Sequence, residues 1–377
     1  MKIGLNGRAI NTNTPAGPER FTINLYKTLA KIDKKNHYTI YFDSKIINEE
    51  VKTIFHGNPN FGYKILPKLF FWTHTDLLLE LLEDPVDVFF TPVHTLPFVR
   101  PLKTKYVLMV HGLEYKTNND MLNPLQRYII HPLLLRYISF FANKIVVPST
   151  ATKNNVVADK LANPNKIEVI NEGVTNLFKE YDASTTENII SKYDLTKKKY
   201  LLFVSTIQPR KNIILLIRGF AEALKNNRIP NDLKLVLVGK LGWQYDEILH
   251  APEKYKVEEN VRFLNWVPQE DLPFVFSGAA GYVNFSVDEG FGLTVLEAMA
   301  SKIPVLVSNI DAHKELARDS VEYCNPSDVR EVASDIEKLV LNYPTEKINQ
   351  AHDISQNYTW EATAEKFIAL FESLKNS

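Results

Sequence analysis

Apolar residues gather into short runs, each followed by a turn signal and then a segment with helical spacing. In the first half the runs are Lys2–Leu5, Tyr38–Phe42, Val86–Phe90, Tyr106–Val110, Lys144–Val147 and Ile167–Ile170. In the second half they are Tyr200–Val204, Lys234–Val238, Val261–Leu264, Gly281–Phe285 and Pro304–Val307. Short strands without polar alternation belong to parallel sheets covered on both faces, and the helical patterns between them supply the crossovers. The chain therefore reads as α/β, and two successive series predict two doubly wound, Rossmann-like domains. The first series closes at Asn171-Glu172-Gly173-Val174, a polar stretch follows, and Lys197-Lys198-Lys199 reads as a solvated lead-in to Tyr200. A linker is expected near 173–195, which gives domains 1–175 and 176–358. The last segment, 359–377, carries Phe367, Leu370, Phe371 and Leu374 at helical spacing behind an N-capping Thr359.

Composition narrows the function. The 377 residues are 45% apolar and 23% charged, a globular balance, and long enough for two cores. Lysine plus arginine and aspartate plus glutamate number 44 each, so no global field favours nucleic acid, and no local basic patch substitutes for one. A single cysteine, Cys324, excludes an internal disulfide and a cysteine-based metal cluster; it reads as a small filler near a strand end. The start, Met1-Lys2-Ile3-Gly4-Leu5-Asn6, runs directly into a strand without a secretory pattern, and no long uninterrupted apolar window exists. A cytoplasmic protein is expected, with the inner face of the membrane as an alternative location.

Open α/β sheets bind ligands outside the carboxyl ends of their strands, and two such domains would face each other across a deep cleft. Two segments after strands carry chemistry. Gly281–Phe285 runs into Ser286-Val287-Asp288-Glu289-Gly290-Phe291-Gly292 and leaves as the small-residue helix beginning Leu293-Thr294-Val295-Leu296-Glu297. Glycines let backbone approach a ligand, and a helix start offers unpaired N–H groups and a positive dipole end to an anion. Glu289 is placed to accept sugar hydroxyls. Glu297 lies about two turns on, roughly one nucleoside away at ~1.5 Å per residue, where it can take ribose hydroxyls. The bland alternative is a first-turn acid complementing the dipole, with Glu297 an exposed surface residue. The second segment is Ser205-Thr206-Ile207-Gln208-Pro209-Arg210-Lys211-Asn212, directly after Tyr200–Val204. Adjacent cations at a helix start are disfavoured unless an anion sits between them; Arg210 can bind phosphate as a fork and Lys211 as a point charge. The alternative here is a solvated basic turn.

These residues resemble glycosyltransferase family four, retaining enzymes of the GT-B fold. Glu289-Gly290-Phe291-Gly292-Leu293 with Glu297 is similar to that family's paired-glutamate motif, and Pro209-Arg210-Lys211-Asn212 to its diphosphate turn. Ile3–Arg8 and the loop to Gly17, His111 after Tyr106–Val110, Pro148–Lys153, Asn171–Val174, Val261–Phe276 and Tyr358–Glu361 follow in the family's order. The resemblance implies catalytic roles for Glu289, Arg210, Lys211 and His111. It implies donor binding by Gly17, Ser205, Thr206, Val267, Gly290, Phe291, Gly292, Leu293, Thr294 and Glu297. It further implies a nucleotide-sugar donor held by the second domain, an acceptor held by the first, and a last helix that crosses back to the N-terminal domain. Members use no catalytic metal and no cofactor, in keeping with the absence of an Asp-x-Asp pair; Arg210 and Lys211 would stand where a divalent ion otherwise does. The sequence departs from the pattern at Pro18 and Glu19 after Gly17, at Gly112 after His111, and at Thr294, where proline is common.

The expected activity is transfer of a hexose, with mannose from GDP-mannose preferred, to a saccharide or lipid-linked saccharide in cell-surface polysaccharide synthesis. A UDP-dependent glucosyl- or galactosyltransferase, a sugar-nucleotide epimerase on the same fold, and a non-catalytic sugar-nucleotide-binding subunit are the rivals. No acid stands out as a nucleophile, so retention reads most simply as front-face displacement. The acceptor is expected to depend on first-domain loops such as 8–20, 56–76 and 112–126. Gln126–Lys144 mixes Arg127, His131, Arg136 and Lys144 with aromatic and aliphatic residues. It is read as a core helix with snorkelling arginines in preference to a helix lying on a bilayer.

Overall fold

The computed structural model describes residues 1–67, 71–113, 132–325 and 327–375, and the side chain of Pro132 is not among the described groups. The chain divides into two compact units, Met1–Gly173 with Thr359–Ser377, and Val174–Tyr358.

In the first unit seven parallel strands form one sheet: β1 (Lys2–Asn6), β2 (His37–Phe42), β3 (Phe61–Ile65), β4 (Val88–Thr91), β5 (Lys105–Met109), β6 (Lys144–Val147) and β7 (Ile167–Val169). Their order is β3-β2-β1-β4-β5-β6-β7, so the winding reverses between β1 and β4. Central strands are apolar on both faces because helices cover both; all four residues of β4 are buried. β3 escaped the sequence reading because it is an edge strand, Phe-Gly-Tyr-Lys-Ile, with Tyr63 and Ile65 left exposed and no continuous apolar run. The terminal helix Trp360–Lys375 packs onto this unit. Phe367 lies 5.1 Å from the ring of Phe90 and 6.2 Å from that of Phe21. Gly173 makes that docking geometry available, since a Cβ there would stand 2.4 Å from the Trp360 nitrogen.

The second unit holds six parallel strands: β8 (Tyr200–Val204), β9 (Lys234–Val238), β10 (Val261–Leu264), β11 (Gly281–Asn284), β12 (Val305–Ser308) and β13 (Glu322–Cys324). The order β10-β9-β8-β11-β12-β13 reverses between β8 and β11. β13, a short edge strand, was also missed, although Cys324 does fill its end. The stretch expected as a linker is instead part of this unit. Asp182 caps a helix, Ala183–Ile190, by accepting from the Thr185 nitrogen at 2.8 Å, and Ile190 is buried. Phe178 is buried against Phe276, with ring centroids 5.4 Å apart. Its polar composition belongs to the solvent side of that helix, and the few apolar residues suffice to anchor it.

Candidate functional site

Because β8 and β11 are neighbours at the reversal, the loops leaving their carboxyl ends meet. The β8 loop turns through a short 3-10 segment, Pro209–Lys211, and Asn212 at φ +53° directs it into the helix Ile213–Lys225. The β11 loop passes Glu289 and reaches Gly292 at φ +104°, a conformation that suits glycine, before the helix Leu293–Ala300 begins. The Val287 nitrogen donates to the Arg210 carbonyl at 3.1 Å, which fixes one loop to the other.

Charge completes the junction. Lys211 Nζ donates to Glu289 Oε1 at 2.5 Å, and Arg210 Nη1 reaches the Asp288 carbonyl and lies 3.5 Å from Glu289 Oε2. Ser286 Oγ stands 2.7 Å from Glu289 Oε1 and 2.7 Å from Asn284 Oδ1. Lys211 is buried, with 8% of its side-chain surface exposed, and Arg210 and Glu289 are half-buried, with 10% and 13% of theirs. Burial by itself would raise the Glu289 pKa, but the Lys211 and Arg210 charges and the Ser286 hydroxyl outweigh it and hold the carboxyl well below the usual range. The sequence reading had assigned the two cations to one ligand group and the carboxylate to another. In the structure they are mutual partners, two positive charges set around the one carboxylate of Glu289.

The surrounding residues hold this arrangement. Thr294 accepts from the Tyr282 hydroxyl at 2.7 Å, which ties the helix start to β11 and gives the residue in the place of the family's proline a bond of its own. Glu297 is buried in the second turn of the helix, not on its solvent face. Phe291 packs edge-on against Tyr358 at 5.7 Å and, like Val267, belongs to the core. Gly290 and Leu293 flank the turn and are half-buried. Ser205 and Thr206 continue β8: the Ser205 nitrogen donates to Val238, the Ile207 nitrogen to Lys240, and the Gly242 nitrogen back to Ile207, each at 2.9 Å.

Two family models match the chain: Glycosyl transferases group 1 over residues 185–359, and Glycosyltransferase Family 4 over residues 15–175. The chain belongs to glycosyltransferase family four. Against O-antigen chain mannosyltransferase B of Escherichia coli it is 31% identical over 190 residues, covering 49% of each chain. Against O-antigen chain mannosyltransferase RfbU of Salmonella typhimurium it is 26% identical over 253 residues, covering 66% of this chain and 64% of that one. The aligned part thus spans about half the length of the first relative and under two thirds of the second. Anabaena Alr3699/HepE, solved with UDP and glucose, superposes with a TM-score of 0.77 over 99% of this chain and 100% of its own, at 15% identity. WaaG, a glycosyltransferase involved in lipopolysaccharide biosynthesis, gives 0.69 over 98% and 99%, at 16% identity. These likenesses, with the two parallel sheets, make the fold GT-B.

Two of the residues carried over to this family-four chain lie in its first unit. His111 follows β5; its Nε2 is 3.1 Å from the Pro92 carbonyl, its Nδ1 is 3.6 Å from Glu172 Oε1, and Phe21 packs edge-on to the ring at 5.0 Å. A carbonyl only accepts, so Nε2 carries the hydrogen, and Nδ1 lies near Glu172 but beyond hydrogen-bond distance. Gly17 opens the helix Gly17–Ile32, and a Cβ there would meet nothing within 4 Å. Glu19, which by sequence put negative charge near this loop, caps the helix by accepting from the Ala16 nitrogen at 2.9 Å.

Several positions outside the residues singled out by sequence also shape the site. Glu172, 3.6 Å from His111, sits in a quoted motif to which no role was given. Gly239, at φ +149°, would put a Cβ 1.8 Å from the Ser205 carbonyl oxygen, so the β8 loop can lie where it does only over a glycine. Val238-Gly239-Lys240-Leu241-Gly242 after an apolar strand was the available signal. His313 is fully buried behind Gly292, with Nδ1 3.0 Å from the Ser308 carbonyl, and nothing in its local sequence marks it. Ser308 in turn donates to the Ser286 carbonyl at 2.6 Å, so β12 braces the Glu289 loop from behind.

Proposed function

We propose that the unit Val174–Tyr358 binds a nucleotide sugar and that the chain transfers its hexose to a saccharide acceptor. The observation that carries this reading is the Glu289 carboxylate held at the switch point by Lys211 and Arg210 immediately before the helix Leu293–Ala300. A diphosphate binds across the Arg210 and Lys211 cations and the helix start, and Glu289, relieved of part of its pairing, is available to sugar hydroxyls. Arg210 and Lys211 then stabilise the charge that grows on the leaving diphosphate as the glycosidic bond breaks, without requiring a divalent ion. Glu297 serves the ribose, and His111, held by the Pro92 carbonyl, serves the transferred sugar. Mannose from GDP-mannose is the preferred donor, supported by the two O-antigen mannosyltransferases among the relatives. Retention by front-face displacement, a lipid-linked acceptor and a role in surface polysaccharide assembly complete the reading.

Thermal shift with GDP, GDP-mannose, UDP and UDP-glucose tests the donor. A ligand at 100 times its Kd stabilises by about 2.7 kcal/mol, and the guanine nucleotides are expected to give that shift. A shift with the uridine nucleotides alone moves the assignment to a UDP-hexose. Arg210→Ala is expected to lower transfer by about a hundredfold or more while the fold is kept. Unchanged transfer in that variant refutes the mechanism, and nucleotide-sugar turnover without acceptor replaces it with an epimerase.

A further inference from the structure

The helix Pro132–Phe141 is apolar on two faces. Leu135, Ile138 and Ser139 are buried, as a core helix requires. The opposite stripe is open: Leu133 is 69% exposed and Phe140 73%, with Tyr137 and Phe141 beside them also exposed. Positions 133, 137 and 140 share one side of a helix. The loop before β5 widens the patch with exposed Phe98 and Val99 and with Leu102, which is 100% exposed. Ring contacts make it continuous: Phe98 to Tyr137 at 6.0 Å, Tyr137 to Phe141 at 4.8 Å, and Phe141 to Phe140 at 5.1 Å. The preferred sequence reading, a core helix, therefore holds for one face only. The upstream residues of that reading, Arg127, Tyr128, Ile129 and His131, lie outside the described residues.

Cations lie over and around the same rings. The Arg100 guanidinium is 3.8 Å from the Phe141 ring centroid and the Lys166 ammonium 5.8 Å from that of Phe140. Lys103 and Arg136 are exposed beside them. Neither 91–113 nor 132–158 contains an aspartate or glutamate, in a chain whose net charge is zero. Apolar knobs fringed by these cations complement a surface that is apolar within and anionic at its boundary.

We infer that this face docks on an anionic lipid bilayer, with Leu102, Leu133 and Phe140 at the acyl boundary and Arg100, Lys103, Arg136 and Lys166 among the headgroups. The inference rests on this face and stands independently of the donor assignment. The full chain is sedimented with vesicles of equimolar phosphatidylglycerol and phosphatidylcholine, and with phosphatidylcholine alone. Binding to the anionic vesicles is expected, weakened by added salt. It should fall about tenfold or more in Leu133→Ser/Phe140→Ser, since each inserted side chain contributes on that scale. Donor-induced thermal shift should be unchanged in that variant. Should it fail to fold, Lys103→Glu/Arg136→Glu tests the same face through its charge. No partition onto anionic vesicles, equal partition onto neutral ones, or undiminished binding by a folded variant overturns the proposal. A wild-type dimer in sedimentation velocity that the variant converts to monomer would also overturn it and assign the face to a second copy.

Discussion

Lys211→Met isolates the feature on which the site depends. The substitution keeps most of the side-chain length but removes the ammonium 2.5 Å from Glu289, leaving a buried carboxylate with Arg210 at 3.5 Å and the Ser286 hydroxyl. Removing one partner of a buried pair costs about 3–5 kcal/mol, because the other charge remains without its compensation. Two partners remain here, so the lower end, about 3 kcal/mol, is expected. For a unit of this size that corresponds to a Tm lower by roughly 6–12 °C. Glu289→Gln in the Lys211→Met background should cost less than in the wild type, with a coupling of about 1–3 kcal/mol in the double-mutant cycle. The pH dependence supplies a second reading. The folded pKa of Glu289 is depressed, so its contribution to stability is complete above its unfolded pKa, about 4.3, and is lost as pH falls from there toward the folded value. Lys211→Met should flatten the fall in stability below about pH 4.3. Chemical denaturation monitored by circular dichroism across pH measures both quantities. Strict additivity in the cycle, together with an unchanged acid limb, would refute the claim that the cation's role in the ligand-free fold is to neutralise Glu289.

Three further outcomes follow from the packing. Gly239→Ala places a methyl on the Ser205 carbonyl at a φ that L side chains rarely adopt, and should destabilise the second unit by about 3 kcal/mol or more, read as Tm. Gly173→Ala must move Thr359 and Trp360 and so should lower Tm while leaving the donor-induced shift in place. Glu172→Gln keeps the shape beside His111 but not the charge; a loss of roughly fivefold in kcat, about 1 kcal/mol, with Tm retained, is expected, and equal kcat would detach Glu172 from the reaction.

What the sequence displayed follows from which residues have one environment and which have two. Central strands such as Tyr200–Val204 are covered on both faces, so their apolar runs state both existence and bounds. The edge strands β3 and β13 face solvent on one side and blend with loops. Glu289 and the Arg210-Lys211 pair were each legible from position relative to a strand and a helix. Their pairing was not, since it depends on β8 and β11 being neighbours, 78 residues apart in the chain for Lys211 and Glu289. Ser308 and His313 act from a further strand end and carry no local pattern that separates them from ordinary turn or core residues, while Gly239 is marked only by the glycine pair after an apolar strand. The apolar helix Pro132–Phe141 shows the reverse limit: periodicity located the helix, but whether its second stripe is covered is a property of the fold.

The first unit has an unusual order of assembly. Its seven strands are all present by Val169, yet Phe21 and Phe90 receive their cover from Phe367 and Phe371, which follow the whole of Val174–Tyr358. Emerging from the ribosome, the amino-terminal unit is first to appear and last to be finished, with an aromatic face exposed while the second unit is made. Folding of the second unit brings its own ends together, the Val174 nitrogen bonding the Tyr358 carbonyl at 2.9 Å. That shortens the loop the last helix must close from a whole domain to a few residues. Synthesis of the insert thus becomes the step that delivers the clasp, and a chain truncated before Trp360 would lack it however well its sheet had formed.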